Sequence, residues 1–160
     1  MATALTNLDS FAESIGYNAN GLRFGLVVSK WNSEITEALY EGSFKTLVGA
    51  GARAQDIHRM NVPGSFELIY ACNQWAISRN FDAIIAIGSV IQGETKHFDF
   101  VCDAVAQGIK DINLKNEAPV IFCVLTDNTW EQSKDRSGGK HGNKGVEAAA
   151  AAIEMAQLKK

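Results

Sequence analysis

Residues 88–97 hold the side chains best suited to acid–base chemistry and anion binding. They follow an apolar run and precede a helical pattern, so the backbone N–H groups near Gly93 to Thr95 should point towards whatever lies above that helix start. Such a site binds phosphate or carboxylate groups, and the Thr95 hydroxyl could add a donor. His97 lies where the helix dipole disfavours imidazolium, so a neutral ring could act as a general base. Spacing alone also permits a water-capped helix start and a structural histidine.

Further polar and aromatic residues fall near predicted strand ends. Arg136 could clamp a phosphate in bidentate fashion, although an ordinary surface arginine is an equal alternative. Trp31, Phe66 and Phe122 could stack on a planar heterocycle, while core packing is the competing interpretation for the two phenylalanines. Glu67, in the first turn of a helix, could accept hydrogen bonds from sugar hydroxyls, but the dipole alone also favours an acid there.

Other chemistry finds little support. The glycine-rich run at residues 137–145 lacks the spacing of a nucleotide-binding phosphate loop and does not directly follow a strand. We expect His58 and His141 to be structural. The cysteines have no C-x-x-C pair and no metal-ligand spacing to the histidines, so we expect no metal and interpret them as small buried apolar side chains. They are Cys72, Cys102 and Cys123.

Length and charge set the remaining limits. The chain has 160 residues, 46% of them hydrophobic, and a formal net charge of -3. We expect residues 1–20 to form a polar N-terminal segment and residues 21–160 a single domain. The charge would gather neither nucleic acid nor an anionic membrane surface. No targeting peptide is visible and no apolar run approaches the roughly 20 residues that span a bilayer, so we expect a cytoplasmic protein.

The elements that must position these residues alternate along the chain. Short apolar runs predict strands at residues 23–28, 57–62, 83–91 and 120–125, the second an alternating edge strand. Helical patterns lie between and after them. One starts after a cap at Asn32 or Ser33, the next includes Phe66 in its apolar content, and a short one begins with a capping box at Thr129 and Gln132. We therefore predict a three-layer α/β/α sandwich of flavodoxin-like type with a central four-stranded parallel sheet.

Ligands on such sheets bind beyond the carboxyl ends of the strands. This rule selects four loops, at residues 29–33, 63–67, 89–97 and 126–128. They hold most of the unusual polar and aromatic residues of the chain.

Several separated blocks together resemble the lumazine synthase family from about Arg23 onward. They agree with that family in order and spacing, which makes a chance match implausible. Trp31 stands where bacterial members commonly have Phe. The blocks are Trp31-Asn32, Pro63-Gly-Ser-Phe-Glu67, residues 88–101 with Gly93-Glu-Thr-Lys-His97, Phe122, and Arg136 followed by Gly142-Asn-Lys-Gly145.

The resemblance implies a role for each matching residue. Trp31 would stack on a pyrimidine, and His97 would transfer protons. Glu94 and Thr95 would contact the phosphate of a second substrate. Three residues would complete the site, with the first two coming from a neighbouring subunit: Phe122, Arg136 and Lys144. The uracil and ribityl groups would be lined by Asn32, Ser65, Phe66, Glu67, Ser89, Val90 and Ile91.

The activity implied by the resemblance is a condensation. A transferase of this family joins 5-amino-6-(D-ribitylamino)uracil to 3,4-dihydroxy-2-butanone 4-phosphate, the penultimate step of riboflavin biosynthesis, and needs no cofactor. The family implies a homo-oligomer of at least a pentamer. Because residues 136–145 carry no insertion, we favour an icosahedral shell of sixty subunits, with riboflavin synthase as a candidate partner. The alternative is a non-catalytic flavin-binding or container protein on the same fold, against which the presence of His97, Arg136 and Lys144 together argues.

Overall fold

The computed structural model describes residues 7–9, 17–78 and 80–158. Its main sheet has four strands in the order β2-β1-β3-β4, and each neighbouring pair is parallel. The strands are β1 (Phe24–Ser29), β2 (Ile57–Val62), β3 (Ala83–Ile91) and β4 (Val120–Asp127). Every predicted strand is present within two residues of its expected bounds, and β2 is an edge strand as its alternating pattern indicates. Most of the predicted polar segment at residues 1–20 lies outside the described residues.

Helices cover both faces of this sheet. On one face the buried side chains of α1 and α5 form a core with β1 and β3, and on the other those of α2 and α3 do so. The predicted three-layer α/β/α sandwich is therefore confirmed. The helices are α1 (Ser33–Gly49), α2 (Leu68–Ser78), α3 (His97–Lys115), α4 (Trp130–Asp135) and α5 (Lys144–Gln157), with a 3₁₀ turn at Ala54–Asp56.

Strand β3 serves both cores because alternate side chains point to opposite faces. Ile85 and Ile87 pack with α1 and α5, whereas Ile84 and Ala86 pack with α2 and α3. This explains why β3 reads as a continuous apolar run rather than an alternating one. The central position of β3 makes its carboxyl end the middle of the edge where ligands bind.

The helices α1 and α5 approach one another almost backbone to backbone. A Cβ atom at Gly145 would overlap the backbone carbonyl of Leu39. The Ser43 hydroxyl donates to the Gly145 carbonyl at 2.9 Å. At the start of α5, the Asn143 side chain accepts from the Gly145 N–H at 2.8 Å and donates to the Ala38 carbonyl at 2.9 Å. The small residues of α5 therefore allow its backbone to approach that of α1 more closely than larger side chains would permit.

Two sequence predictions need correction, and one element was missed. Phe66 precedes α2, which begins at Leu68, and the Phe66 side chain is 55% exposed. Its apolar character had suggested a place in the helix, but the chain there is still in the turn that leads into it. Cys102 is only partly buried, whereas Cys72 and Cys123 are buried. A short hairpin, β5 (Ser137–Gly139) and β6 (Gly142–Asn143), was not predicted because glycine-rich pieces of this length carry no strand pattern.

Within the described ranges, no helix has both the length and the apolar character needed to cross a membrane.

Candidate active site

A cleft of about 380 Å³ lies at the carboxyl ends of β1, β2 and β3. It is bounded by the loops that follow these strands and by the start of α3. The predicted site residues that line it are Trp31, Ser65, Phe66, Glu67, Ser89, Val90, Ile91, Thr95 and His97. The rule that ligands bind beyond the carboxyl ends of parallel strands therefore leads to the same surface as the sequence motifs.

Trp31 presents its ring to solvent at the cleft wall, with 69% of the residue exposed. Its backbone N–H donates to the Pro63 carbonyl and to the Ser29 hydroxyl, both at 3.2 Å. The preceding N–H, that of Lys30, donates to the Val62 carbonyl at 2.8 Å. These bonds tie the loop after β1 to the loop after β2, so the indole is placed by the backbone and its faces stay free to stack.

Asn32 joins the first loop to the central strand. Its backbone is left-handed, with φ 55° and ψ 48°, a conformation that Asn tolerates better than most residues. The sequence suggested a capping side chain at Asn32 or Ser33. Asn32 does occupy the cap position of α1, but its side chain makes no capping bond. Its amide instead donates to the Ser89 carbonyl at 3.0 Å, so Asn32 links the loop after β1 to the carboxyl end of β3.

The turn at residues 65–67 forms a second wall. The Leu68 N–H donates to the Ser65 carbonyl at 3.2 Å as the chain turns into α2. Ser65 also lies against the central strand, because a Cβ at Gly88 would come within 2.6 Å of its hydroxyl oxygen. The hydroxyls of Ser65 and Ser89 are buried and have no hydrogen-bond partner in the part of the chain described. Unsatisfied buried polar groups are rare in proteins, and both of these lie beside the cleft.

The loop between β3 and α3 has the features of an anion site. Gln92 fixes its beginning by donating its N–H to the Asp127 carbonyl at 3.0 Å. Over the described residues, the backbone N–H groups of residues 93–96 donate no hydrogen bond. The Thr95 hydroxyl accepts from the His97 N–H at 3.4 Å, which leaves its own proton available to a ligand. His97 is the first residue of α3 and is exposed. The unpaired N–H groups and an exposed imidazole thus lie next to one another in the loop and the first turn of α3.

Four other predicted residues do not line this cleft. Glu94 is exposed on the loop but does not line the cleft. Phe122 and Lys144 line a second cleft of about 580 Å³ between β4, α3 and α5. Phe122 is 37% exposed there, and the Lys144 ammonium contacts the Glu147 carboxylate at 2.6 Å. Arg136 follows α4 and lines neither of these clefts.

Some cleft residues were missed by the sequence reasoning. Gly64, Phe98 and Val101 also line it, as does Gly93, whose backbone N–H the sequence had already placed at the anion site. Phe98 and Val101 belong to the regular apolar stripe of α3, which suggested core packing only. Their position in the first turns of that helix was the available signal, because the first turns of a helix that follows a strand's carboxyl end face the ligand edge.

Metal and thiol chemistry have little basis here. Among residues 7–9, 17–78 and 80–158, no group of three or more His, Cys, Asp or Glu side chains could hold a metal ion. Burial raises the pKa of the Cys123 thiol to about 12, and it also raises that of Cys72. Both thiols therefore stay protonated and unreactive at neutral pH.

Comparison with known proteins gives one consistent result. The family model described as 6,7-dimethyl-8-ribityllumazine synthase matches residues 21–160. A relative from Christiangramia forsetii is 60% identical, over 100% of this chain and 96% of its own length. A relative from Flavobacterium johnsoniae is 58% identical over 99% of this chain and 84% of its own. One from Cytophaga hutchinsonii is 51% identical over 97% of both. All three carry the name 6,7-dimethyl-8-ribityllumazine synthase.

Proposed function

Because the chain belongs to the 6,7-dimethyl-8-ribityllumazine synthase family, we propose that the cleft at the carboxyl ends of β1, β2 and β3 is its active site. The chain is a transferase of riboflavin biosynthesis. It condenses 5-amino-6-(D-ribitylamino)uracil with 3,4-dihydroxy-2-butanone 4-phosphate to form 6,7-dimethyl-8-ribityllumazine. One observation supports this assignment most directly. The exposed indole of Trp31, the unpaired N–H groups of residues 93–96 and the imidazole of His97 lie around one cavity of about 380 Å³.

The uracil ring stacks on Trp31 in this proposal. Support comes from the 69% exposure of Trp31 and from the backbone bonds that place it at the cleft wall. Glu67 accepts hydrogen bonds from ribityl hydroxyls, since it lies on the turn at the other wall. The pyrimidine and ribityl groups are further lined by Asn32, Ser65, Phe66, Ser89, Val90 and Ile91.

The phosphate of the second substrate binds at the start of α3. The N–H groups of residues 93–96, together with the Thr95 hydroxyl, offer several donors at the positive end of a helix. Glu94 lies on the same loop, outside the cleft lining, and contacts this substrate from the edge of the cleft. Arg136 supplies a cation that stabilises the leaving phosphate.

The chemistry is proton transfer within a positioned pair of substrates. The 5-amino group attacks the ketone carbon, and loss of water gives an imine. Elimination of phosphate and tautomerisation follow, and the ribityl-bearing nitrogen closes the ring with loss of a second water. No hydride or electron is transferred, so the sequence of steps calls for no cofactor. His97 accepts and returns protons, while the cleft holds the reacting atoms together.

Phe122 and Arg136 reach this site from a neighbouring subunit in our proposal. Lys144 completes the site, and because it lies in the second cleft together with Phe122, we assign it to the same neighbouring subunit. Phe122 and Lys144 line the second cleft, behind β4, rather than the first. In a cyclic arrangement of subunits, the second cleft of each subunit would pack against the first cleft of the next. Phe122 and Lys144 of one subunit would then lie beside His97 of its neighbour. We propose a pentamer that assembles further into an icosahedral capsid, with riboflavin synthase as a partner. The short β5–β6 hairpin, in place of a longer loop before α5, supports this assembly.

We propose that residues 21–160 form a single domain after a polar segment at residues 1–20, and the span of the family match supports it. We also propose that the protein is cytoplasmic, as befits an enzyme acting on small-molecule substrates. A non-catalytic flavin-binding or container protein is not favoured by these relatives.

The decisive experiment follows the absorbance of the lumazine product after both substrates are mixed with the enzyme. The rate is corrected for the spontaneous reaction, and His97→Ala is compared with His58→Ala as a matched control on β2. We expect the loss of a proton-transfer group to lower the rate about 100-fold or more, and the control to resemble the wild type. A His97→Ala enzyme as fast as wild type would remove His97 from the mechanism. No acceleration by the wild type would refute the assignment of catalysis.

A further inference from the structure

Asp127 is a buried carboxylate at the end of β4, and it lines neither of the two clefts. Only 9% of the residue is exposed. One carboxylate oxygen, Oδ2, accepts the hydroxyl of Ser133 at 2.8 Å, and Ser133 itself is fully buried. A carboxylate removed from water is costly unless it is paired and hydrogen-bonded. Its second oxygen therefore needs a partner of opposite charge.

That partner is Arg136. Its Nη1 atom lies 3.7 Å from Oδ1 of Asp127 and donates to the Gln132 carbonyl at 3.0 Å. Within the described chain, Nε and Nη2 of Arg136 donate no hydrogen bond. The Nη1 atom of the guanidinium is thus held by the protein, and the N–H groups of Nε and Nη2 stay available to a ligand.

The short helix α4 fixes the distance between the two residues. Thr129 accepts the Gln132 N–H at 3.3 Å, and the Gln132 side chain accepts the Asn128 N–H at 2.9 Å. Near the other end, the Lys134 ammonium contacts the Glu34 carboxylate of α1 at 2.6 Å. Because α4 is anchored at both ends, the carboxylate and the guanidinium form a preset pair.

We propose that Asp127 is a positioning residue for Arg136, supported by Ser133, and that it sets the affinity for the phosphate of the butanone substrate. The inference rests on the proposed role of Arg136 in binding that phosphate. Asp127 itself touches no substrate. An arginine side chain has many rotamers, and holding Nη1 in advance reduces the ordering cost when phosphate binds to Nε and Nη2.

The test is Asp127→Asn in the full-length enzyme. The amide keeps the volume of the side chain and an oxygen that can accept the Ser133 hydroxyl, but it removes the charge. The Asp127 carbonyl that accepts the Gln92 N–H is unaffected, so only the carboxylate is tested. We expect KM for the butanone phosphate and the inhibition constant of inorganic phosphate to rise on the order of tenfold, the equivalent of one charge-assisted contact. KM for the ribitylaminouracil should stay within about twofold of wild type.

Asp82→Asn is the matched control. The Asp82 carboxylate accepts the Arg23 N–H at 2.7 Å at the amino end of the sheet, far from the cleft edge. It undergoes the same change of charge, and both KM values and phosphate inhibition should be unchanged. If Asp127→Asn fails to fold, Ser133→Ala takes its place, with a smaller rise in the same two phosphate constants.

Arg136→Ala separates the two levels of the proposal. If it raises KM for the butanone phosphate and Asp127→Asn adds nothing further in that background, Asp127 acts through Arg136. An equal effect of Asp127→Asn with and without Arg136 would overturn the positioning role. No effect of Asp127→Asn on either phosphate constant would overturn it as well, while leaving Arg136 in place. If Arg136→Ala itself has no effect, the proposed role of Arg136 fails first.

Discussion

Replacing Trp31 with Ala should weaken binding of the ribitylaminouracil without weakening the fold. The residue is 69% exposed, and its hydrogen bonds to Pro63 and Ser29 come from the backbone N–H, which alanine retains. What the substitution removes is an aromatic face at the cleft wall. The substitution should therefore lower the affinity for the substrate and leave the free energy of unfolding nearly unchanged.

The size of the effect follows from stacking. Loss of an aromatic partner costs about 1–3 kcal/mol per stacked base, which corresponds to a rise in KM of about 5-fold to 150-fold. Trp31→Phe keeps a ring of smaller area and should remain within about threefold of wild type. Because surface substitutions of this kind usually change the free energy of unfolding by no more than about 0.5 kcal/mol, Tm should be nearly constant.

The assay measures kcat and KM for each substrate separately, with thermal unfolding of the same samples. Tyr70→Ala is the control, because Tyr70 is another exposed aromatic residue, at 72%, but does not line the cleft. We expect KM for the ribitylaminouracil to rise only in Trp31→Ala. KM for the butanone phosphate should change much less.

Two results would refute this reasoning. If Trp31→Ala and Tyr70→Ala gave the same KM for the ribitylaminouracil as wild type, the exposed indole would not be the stacking surface. If Trp31→Ala lowered Tm by several degrees, the side chain would be structural despite its exposure.

Two further predictions concern stability. Gly145→Ala should lower the free energy of unfolding by about 3 kcal/mol, because its Cβ would overlap a backbone carbonyl of α1, and denaturant unfolding would detect the loss. Gly49→Ala, where no atom lies within 4 Å of the new Cβ, should be neutral or stabilising. The pKa of Glu37 is lowered, chiefly by the hydrogen bond from Arg59, so its stabilising effect is present above the unfolded pKa near 4.5 and is lost as the pH falls below it. The urea midpoint of Glu37→Gln should therefore fall less between neutral and acid pH than that of the wild type, and an equal fall would contradict the assignment.

The layers and strands of this fold were predictable because burial imposes a pattern on the sequence. A strand covered on both faces, such as β3, must be apolar throughout, and an edge strand such as β2 must alternate. The position of His97 at the start of α3 followed from the same reasoning, since strand and helix patterns meet at that loop.

Side-chain direction was less predictable. Asn32 has the right type and place for a helix cap, yet its left-handed backbone sends the amide to Ser89. Phe66 is apolar but turns outward at a bend. The pairing of Asp127 with Ser133 gave no periodic signal, because it depends on how a short helix folds back on the end of a strand. Such contacts are set by local backbone geometry, which composition and periodicity do not report.

The separation of the two clefts predicts that certain pairs of inactive alleles should complement each other. His97 lines the first cleft and Phe122 the second, so in the proposed ring each site combines residues from two copies of the chain. A subunit with His97→Ala still offers an intact Phe122 to its neighbour, and a Phe122→Ala subunit still offers His97. Cells that express both defective alleles should recover activity at about one interface in four, given random mixing in the ring. Two alleles altered at His97 and Trp31, which share a cleft, should not complement each other in this way.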